Sequence, residues 1–470
     1  MTNQVLNEAE KSGFILSTTR KNCEQVMSLG RIPHWAKNSI EELIQGEKWT
    51  ELNDRFYKHL TFGTGGMRGR TIGKTITAQE QGERSPKETP RHAAIGTNTL
   101  NEITILKASK ALFQYTKEYI SSLGILEQPR LVVAHDVRHF SVEFSRLVAL
   151  AWQKLGGYAM IFDGPRSTPQ LSFTVRNRYA HAGVVITASH NPYHDNGFKA
   201  YFSDGSQLVP PHANKVVEYF DKISIEDILS WIEDEVDLDQ FMLLSSQDDQ
   251  SYAATLEEAV LSHDTLKDHS PKIVFSSIHG TGSISTVPCL MDHGGDVQVV
   301  KSQDNFDPNF SSVESPNPEN KEALSAAIQQ GKKSKADAVI GSDPDCDRIG
   351  VAVRKENDFV EYPSSSTPLA IVKHKDEKVY KLDTFKLDGG RIYCFTDGFS
   401  ECMDENKNEI GIDGVKKLLL HHQNSSLQKE LENSAEEIRL KSLKKDYKET
   451  GIKDNNDILD DDLTIIGIGN

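Results

Sequence analysis

The stretch Gly183-Val-Val-Ile-Thr-Ala-Ser189-His190-Asn191-Pro192 ends an unbroken apolar run in a turn and leaves one hydroxyl at its tip. Val184, Val185 and Ile186 have the character of a short strand covered on both faces, and Thr187 to Pro192 favour a turn. This pattern predicts an exposed Ser189 at the end of a rigid strand, where a hydroxyl can act as a nucleophile. Most serines in turns only hydrogen-bond nearby backbone. A second stretch, Gly341-Ser-Asp343-Pro-Asp345-Cys-Asp347-Arg348, follows another strand-like run, Ala338 to Ile340. With Pro344 bending the chain, the alternating carboxylates of Asp343, Asp345 and Asp347 can turn toward one point. Oxygen-only ligands suit Mg²⁺, which completes its shell with water or phosphate oxygens. A solvated acidic loop is the plainer alternative, but Arg348 beside the triplet adds a cation suited to phosphate. Cys346, a lone thiol among carboxylates, reads as a small packed side chain rather than a ligand.

Two further stretches carry weaker signals. Phe62-Gly-Thr64-Gly-Gly-Met-Arg68-Gly is a glycine-rich loop whose backbone can approach a ligand closely and whose N–H groups could hold an anion. Asp195-Asn-Gly197-Phe-Lys199 presents a lysine that, on residue type alone, reads as a surface side chain.

Thr187-Ala-Ser-His-Asn-Pro and Asp343-Pro-Asp-Cys-Asp-Arg together resemble the phosphoserine loop and the metal loop of the α-D-phosphohexomutases, the phosphoglucomutase and phosphomannomutase superfamily. The likeness runs from about Trp49 to Val353. It implies that Ser189 carries the phosphoryl group and that Ser189, Asp343, Asp345 and Asp347 bind Mg²⁺. By the same resemblance Arg68 contacts the phosphoserine and the reacting group, and Thr64 and Arg348 join the phosphate-binding set. His190 orients the loop or the phosphate. Lys199 matches the family's Asn-Gly-x-Lys pattern ten residues after the nucleophile, which makes it a candidate general acid or base. A lysine near Arg68 and a divalent cation should lose its proton more readily than a free one. Asp136-Val-Arg138-His-Phe-Ser141 is similar to the family's Asp-x-Arg-x-x-Ser signature and is assigned to bracing the active-site loop.

The chain alternates strands and helices, the pattern of three-layer α/β domains. Strands are expected at Arg130 to Ala134, Tyr158 to Phe162, Lys272 to Ser276 and Val297 to Val300. Helices are expected at Thr104 to Leu123, Ser141 to Leu155, Gln170 to Arg178, Ile225 to Val236, Ile284 to His293 and Lys321 to Gln330. Residues 1–60 read as a helical extension whose Trp35, Ile40, Leu43, Ile44, Trp49, Leu52 and Phe56 are packing residues. The expected layout is an extension (1–60), two consecutive three-layer α/β/α phosphohexomutase-like domains (61–211 and 212–355), and an incomplete C-terminal α+β segment (356–470).

That last segment departs from the first resemblance. A complete phosphohexomutase continues with a Gly-Glu-x-Ser-Gly-His type sugar loop and an Arg-x-Ser-Gly-Thr type phosphate clamp, and neither pattern occurs here. Thr367 to Leu382 reads as a hairpin and Ile412 to His421 as a helix. Arg391-Ile-Tyr-Cys-Phe-Thr-Asp397-Gly398 and Asp460-Asp461-Asp462-Leu-Thr-Ile resemble the C-terminal half of metal-dependent PPM-type (bacterial regulatory) serine/threonine phosphatases. That likeness implies a second metal position at Asp397 and Asp461.

Composition limits the partners. The 470 residues carry a formal net charge of -16, with 37% hydrophobic and 26% charged residues. An acidic chain of this kind disfavours general nucleic-acid or anionic-membrane binding. No run reaches the roughly 18 apolar residues of a spanning helix, and the first residues lack a signal-peptide pattern, so a cytoplasmic location is expected. Five scattered cysteines fit reduced thiols. The leading expectation is an intramolecular phosphotransferase that interconverts sugar 1- and 6-phosphates through phospho-Ser189 and Mg²⁺, with a sugar 1,6-bisphosphate as intermediate or activator and a small-molecule sugar phosphate as partner. Turnover would be impaired by the absent sugar-reading loops. The alternatives are a regulatory protein-serine phosphatase with a sugar-phosphate-sensing front half, for which the C-terminal segment offers a route to a protein partner, and a non-catalytic sugar-phosphate binder.

Overall fold

The computed structural model describes residues 2–63, 65–232, 234, 236–259, 269–355, 358–362, 392–395 and 465–468. Four helices open the chain: α1 (Thr2–Lys11), α2 (Ser17–Ser28), α3 (His34–Gln45) and α4 (Trp49–Phe56). Ile40, Leu43, Leu52 and Phe56 are buried in the same apolar cluster as Phe144, Val184 and Phe198. The opening helical extension, residues 1–60, thus packs into the first α/β core. A buried ion pair pins it there. Arg55 on α4 donates to Glu51 Oε1 (2.7 Å), Glu80 Oε2 (3.2 Å) and the Thr75 carbonyl (2.7 Å). Glu80 lies on the short helix α5 (Ala78–Gln81), which Thr77 caps.

The first sheet contains six strands in the spatial order β1 (Gly66–Arg70), β5 (Asp195–Phe202), β4 (Ala182–Ile186), β2 (Arg130–His135), β3 (Tyr158–Phe162) and β6 (Met242–Leu244). β4, β2, β3 and β6 run parallel, while β5 and β1 are antiparallel additions at one edge. Alternate side chains of β2 serve opposite faces, as a strand's period of two requires. Leu131 and Val133 join the cluster formed with α6 (Glu102–Ser122), α7 (Ser141–Lys154) and α9 (His212–Lys222). Val132 and Ala134 pack with Leu171 and Val175 of α8 (Thr168–Asn177). This is the expected three-layer arrangement. The first sheet extends past residue 211, where the sequence suggests an end, because Met242–Leu244 pairs with β3. The helix expected over 225–236 is only a short α10 (Glu226–Leu229), and α11 (Ser246–Ala259) follows.

The second sheet has the order β11 (Asp358–Tyr362), β10 (Ile349–Lys355), β9 (Ala338–Ser342), β7 (Lys272–Ser276), β8 (Asp296–Val299). α12 (Gly282–Asp292) contacts β7 and β8, and α13 (Ser325–Ser334) contacts β7 and β9. Val274, Ala327, Val339 and Ala352 form its core. Residues 373–470 form a separate compact unit. In it β12 (Ile392–Phe395) pairs antiparallel with β13 (Ile465–Ile468), with Phe395 opposite Ile465. The hairpin expected over 367–382 and the helix expected over 412–421 lie outside the described residues. Among the described residues no helix is long and apolar enough to cross a membrane.

Candidate active site

Ser189 follows β4 and Asp343 follows β9, each at the carboxyl end of a strand that runs parallel to one neighbour, β2 and β7 respectively. Open α/β sheets present ligands at such ends. The two loops meet: Ser189 Oγ donates to Asp343 Oδ2 at 2.7 Å and lies 3.5 Å from Asp347 Oδ1. Ser189 is not exposed as its turn position suggests. Only 1% of its surface is accessible, because the metal loop closes over it.

The backbone at Ser189 is left-handed, with φ 55°. A non-glycine residue in that region costs about 1–3 kcal/mol, so the surroundings must hold it there. Ser189 N donates to Thr187 Oγ1 (2.9 Å), and Thr187 Oγ1 donates to Asp136 Oδ2 (2.6 Å). Asp136 Oδ1 accepts from Arg138 N (2.9 Å) and Ser141 Oγ (2.7 Å). Arg138 spreads its guanidinium along the turn, Nη1 donating to the carbonyls of Pro192 (2.8 Å) and Asp195 (3.1 Å), Nη2 to those of Ser189 and Asn191 (both 2.6 Å). The Asp-x-Arg-x-x-Ser segment thus braces the turn through hydrogen bonds to its backbone.

The metal loop is gripped from several sides. Asp343 Oδ1 accepts the N–H groups of Asp347 (3.1 Å) and Arg348 (3.0 Å). Asp345 Oδ2 accepts from Thr168 Oγ1 and Lys199 Nζ, both at 2.6 Å, and Asp347 Oδ2 accepts from Lys199 Nζ at 2.8 Å. The Pro344 carbonyl accepts from Thr281 N (2.9 Å) and Oγ1 (3.0 Å). A Cβ on Gly280 would fall 2.3 Å from Pro344 Cα, so a side chain there would force the two loops apart. Cys346 Sγ lies 3.7 Å from Thr286 Oγ1, and burial pushes its thiol up to about 12.

The three carboxylates fit a hard divalent cation. Asp343, Asp345 and Asp347 offer oxygens that all lie within 4.8 Å of one another, and Asp343 and Asp345 are fully buried. Asp345 Oδ1 is buried with no hydrogen-bond partner. Burial raises the Asp343 pKa well above the carboxylate range, and repulsion from Asp345 and Asp347 adds to it. Crowded acids with an orphaned oxygen are what an oxygen-ligated cation relieves. Among the described residues this is the one group of three such side chains.

Lys199 extends from β5 into this cluster, and here the expected direction is reversed. Burial lowers its pKa, but Asp345 and Asp347 more than offset that and raise it above the ordinary lysine value. Two carboxylates within 2.8 Å hold the ammonium charged. Lys199 in turn holds Asp345 below the usual carboxylate range, against the opposing effect of burial. His190 behaves differently. Burial, then Arg348 and Arg68, bring it down to about 3, so its imidazole is neutral near pH 7. Its Nδ1 is buried with no hydrogen-bond partner. Arg68 is an exposed residue of β1, where it pairs with Gly197. Arg348 Nη1 lies 3.9 Å from Glu319 Oε1. Thr64, Asp397 and Asp461 lie outside the described residues.

Sequence reasoning missed Thr168, Thr187 and Thr281, whose hydroxyls hold Asp345, Asp136 and Pro344. Thr168-Pro169 signals only a helix start, and nothing local links it to residue 345. A hydroxyl, three carboxylates, a charged lysine and a neutral imidazole influenced by two arginines are groups of a kind that can handle a phosphoryl group.

Sequence profiles for phosphoglucomutase/phosphomannomutase match this chain, alpha/beta/alpha domain I over residues 91–227 and alpha/beta/alpha domain II over residues 250–356. It is 32% identical over 344 residues to a phosphoglucomutase of Staphylococcus aureus (strain MRSA252), covering 70% of this chain and 55% of that protein. It is 31% identical over 338 residues to a phosphoglucomutase of Staphylococcus haemolyticus (strain JCSC1435), covering 70% and 56%. A crystal structure of a phosphoglucomutase/phosphomannomutase family protein from Burkholderia thailandensis aligns over 63% of this chain and 55% of its own, at 18% identity and a TM-score of 0.45. The chain spans about half the length of the curated relatives it matches.

Proposed function

The chain belongs to the phosphoglucomutase/phosphomannomutase family, and on that premise we propose that it transfers a phosphoryl group between Ser189 and a sugar phosphate. The observation that carries this reading is the 2.7 Å hydrogen bond from Ser189 Oγ to Asp343, which joins the two loops at one point. Mg²⁺ held by Asp343, Asp345, Asp347 and the Ser189 oxygen would screen the repulsion between anionic groups and polarise the phosphoryl oxygens. The protein supplies the rest. Phospho-Ser189 gives its phosphoryl group to a hydroxyl of a sugar monophosphate: the P–O bond to Ser189 breaks as the bond to the sugar oxygen forms, the sugar hydroxyl loses its proton, and the Ser189 oxygen gains one to become the free hydroxyl. The resulting bisphosphate turns and returns its other phosphoryl group to Ser189. Arg68 and Arg348 follow the moving charge, His190 orients the phosphoryl group, and Lys199, held as a charged ammonium by Asp345 and Asp347, is the candidate acid rather than the base for proton transfer. Thr64 belongs to the same phosphate-binding set.

The test is to incubate the protein with Mg²⁺ and glucose 1,6-bisphosphate carrying labelled phosphate, then map the label by peptide. Label on the peptide containing Ser189, absent in Ser189→Ala, is the expected result. A folded wild-type protein that takes no label at Ser189 removes the nucleophile assignment.

A second reading concerns residues 373–470. β12 and β13 pair with Phe395 opposite Ile465. Asp397 follows the first of these by two residues and Asp461 precedes the second by four. It is the resemblance of the sequence around Asp397 and Asp461 that supports a metal-dependent phosphatase-like role for that unit. Activity on a phosphoserine protein that is lost in Asp397→Ala and kept in Ser189→Ala would establish it, and equal loss in both would dismiss it.

A further inference from the structure

We propose that Thr168 is a positioning residue for the cation, fixing which oxygen of Asp345 is left to bind it; the inference rests on the metal-site reading above. Thr168 is the first residue of α8 and is 5% exposed. Its hydroxyl is not needed to cap the helix, because Ser167 Oγ already accepts from Gln170 N at 3.2 Å. The Thr168 hydroxyl instead donates to Asp345 Oδ2 at 2.6 Å, and its backbone N–H donates to the Asp345 carbonyl at 2.9 Å. One residue thus grips Asp345 by both side chain and main chain.

The grip is asymmetric. Oδ2 accepts from both Thr168 and Lys199, whereas Oδ1 is buried with no hydrogen-bond partner. A carboxylate free to rotate could expose either oxygen, but a hydroxyl that locks one leaves the other as the ligand atom. The first turn of a helix also favours a carboxylate beside it, since its free N–H groups and dipole point outward. Partners that orient a ligand in this way typically account for about 10–100-fold in metal affinity. Thr168 also joins the two α/β domains, so the cation pocket depends on a contact that neither domain makes alone.

Mn²⁺ alone serves as the probe, titrated into the full chain and followed by electron paramagnetic resonance of free Mn²⁺, with far-UV circular dichroism as the folding control. Thr168→Val keeps the shape and the backbone N–H but removes the hydroxyl, and it should weaken the Asp345-dependent Mn²⁺ site by about 10-fold or more. Thr168→Ser should restore near wild-type affinity, which a purely packing role for the methyl group would not predict. If the valine variant does not fold, Thr168→Ala carries the same expectation. Asp345→Asn separates the role of Thr168 from the existence of the metal site. Binding lost in Asp345→Asn but unchanged in Thr168→Val overturns the role of Thr168 alone. Wild-type binding indifferent to Asp345→Asn overturns the metal-site reading and this inference with it.

Discussion

Replacing Arg138 by methionine should do damage out of proportion to one surface-remote side chain. Arg138 and Asp136 have no exposed side-chain surface and lie 3.2 Å apart, and breaking a buried pair of this kind costs about 3–5 kcal/mol. Arg138 also donates to the carbonyls of residues 189, 191, 192 and 195. Each carbonyl left dry adds about 1–3 kcal/mol. Against a total domain stability of about 5–15 kcal/mol, Arg138→Met should bring the first cooperative transition close to collapse. Asp136→Asn removes the opposite charge while keeping side-chain atoms near Thr187 and Ser141. The double variant should therefore be less destabilised than the sum of the singles, by about 0.5–3 kcal/mol. Arg138→Lys should still be destabilising, because an ammonium cannot reproduce a guanidinium fork across four acceptors. Urea midpoints and slopes for all four variants and the wild type, by tryptophan fluorescence and far-UV circular dichroism, give the numbers. A cost below about 1 kcal/mol for Arg138→Met, or singles that simply add, would refute the brace.

His139 should give stability a pH dependence. Its Nδ1 lies 2.6 Å from Thr89 Oγ1 and its Nε2 lies 2.9 Å from Asn309 Oδ1, and burial lowers its pKa. The unfolded chain, with a histidine pKa of about 6.5, takes up the proton first. Stability should therefore fall as pH drops below that value and be insensitive above it, and His139→Gln should flatten the decline measured by urea midpoints from pH 7.5 to 5. An identical slope in the variant would contradict this. Glu80→Ala should destabilise the protein by about 3–5 kcal/mol, since Arg55 would keep only Glu51 among its carboxylate partners and Ile95 N would lose its 3.1 Å acceptor. Limited proteolysis should then cut within residues 1–60, and an unchanged urea midpoint would mean that the opening helices do not depend on that pair.

The elements that local pattern controls were readable. Val184, Val185 and Ile186 are fully buried in β4, and the predicted strands at 158–162 and 272–276 match to the residue. β1 was not readable, because Gly-Met-Arg-Gly-Arg has no apolar alternation and becomes a strand only by pairing with β5. β6 is three residues long, and only its place beside β3 makes it part of the first sheet. At the site, the turn at Ser189 and the bend at Pro344 were local, so the loops themselves could be named. Their closure was not local. The burial of Ser189, the charged state of Lys199 and the hydroxyl of Thr168 all depend on contacts made across 146 or more positions of chain. No window of sequence contains both partners of such a contact. The residue types at 189 and 343–347 therefore indicated the chemistry, while the direction of the Lys199 shift needed the fold.

The most direct test of the central claim, that Ser189 and the three aspartates share one cation, is anomalous scattering from a crystal of the full chain grown with Mn²⁺. One strong Mn²⁺ peak bounded by the carboxylates of Asp343, Asp345 and Asp347 and the oxygen of Ser189 is the expected result. A structure in which those carboxylates pair only with Lys199 and Thr168 while Mn²⁺ binds elsewhere would contradict it.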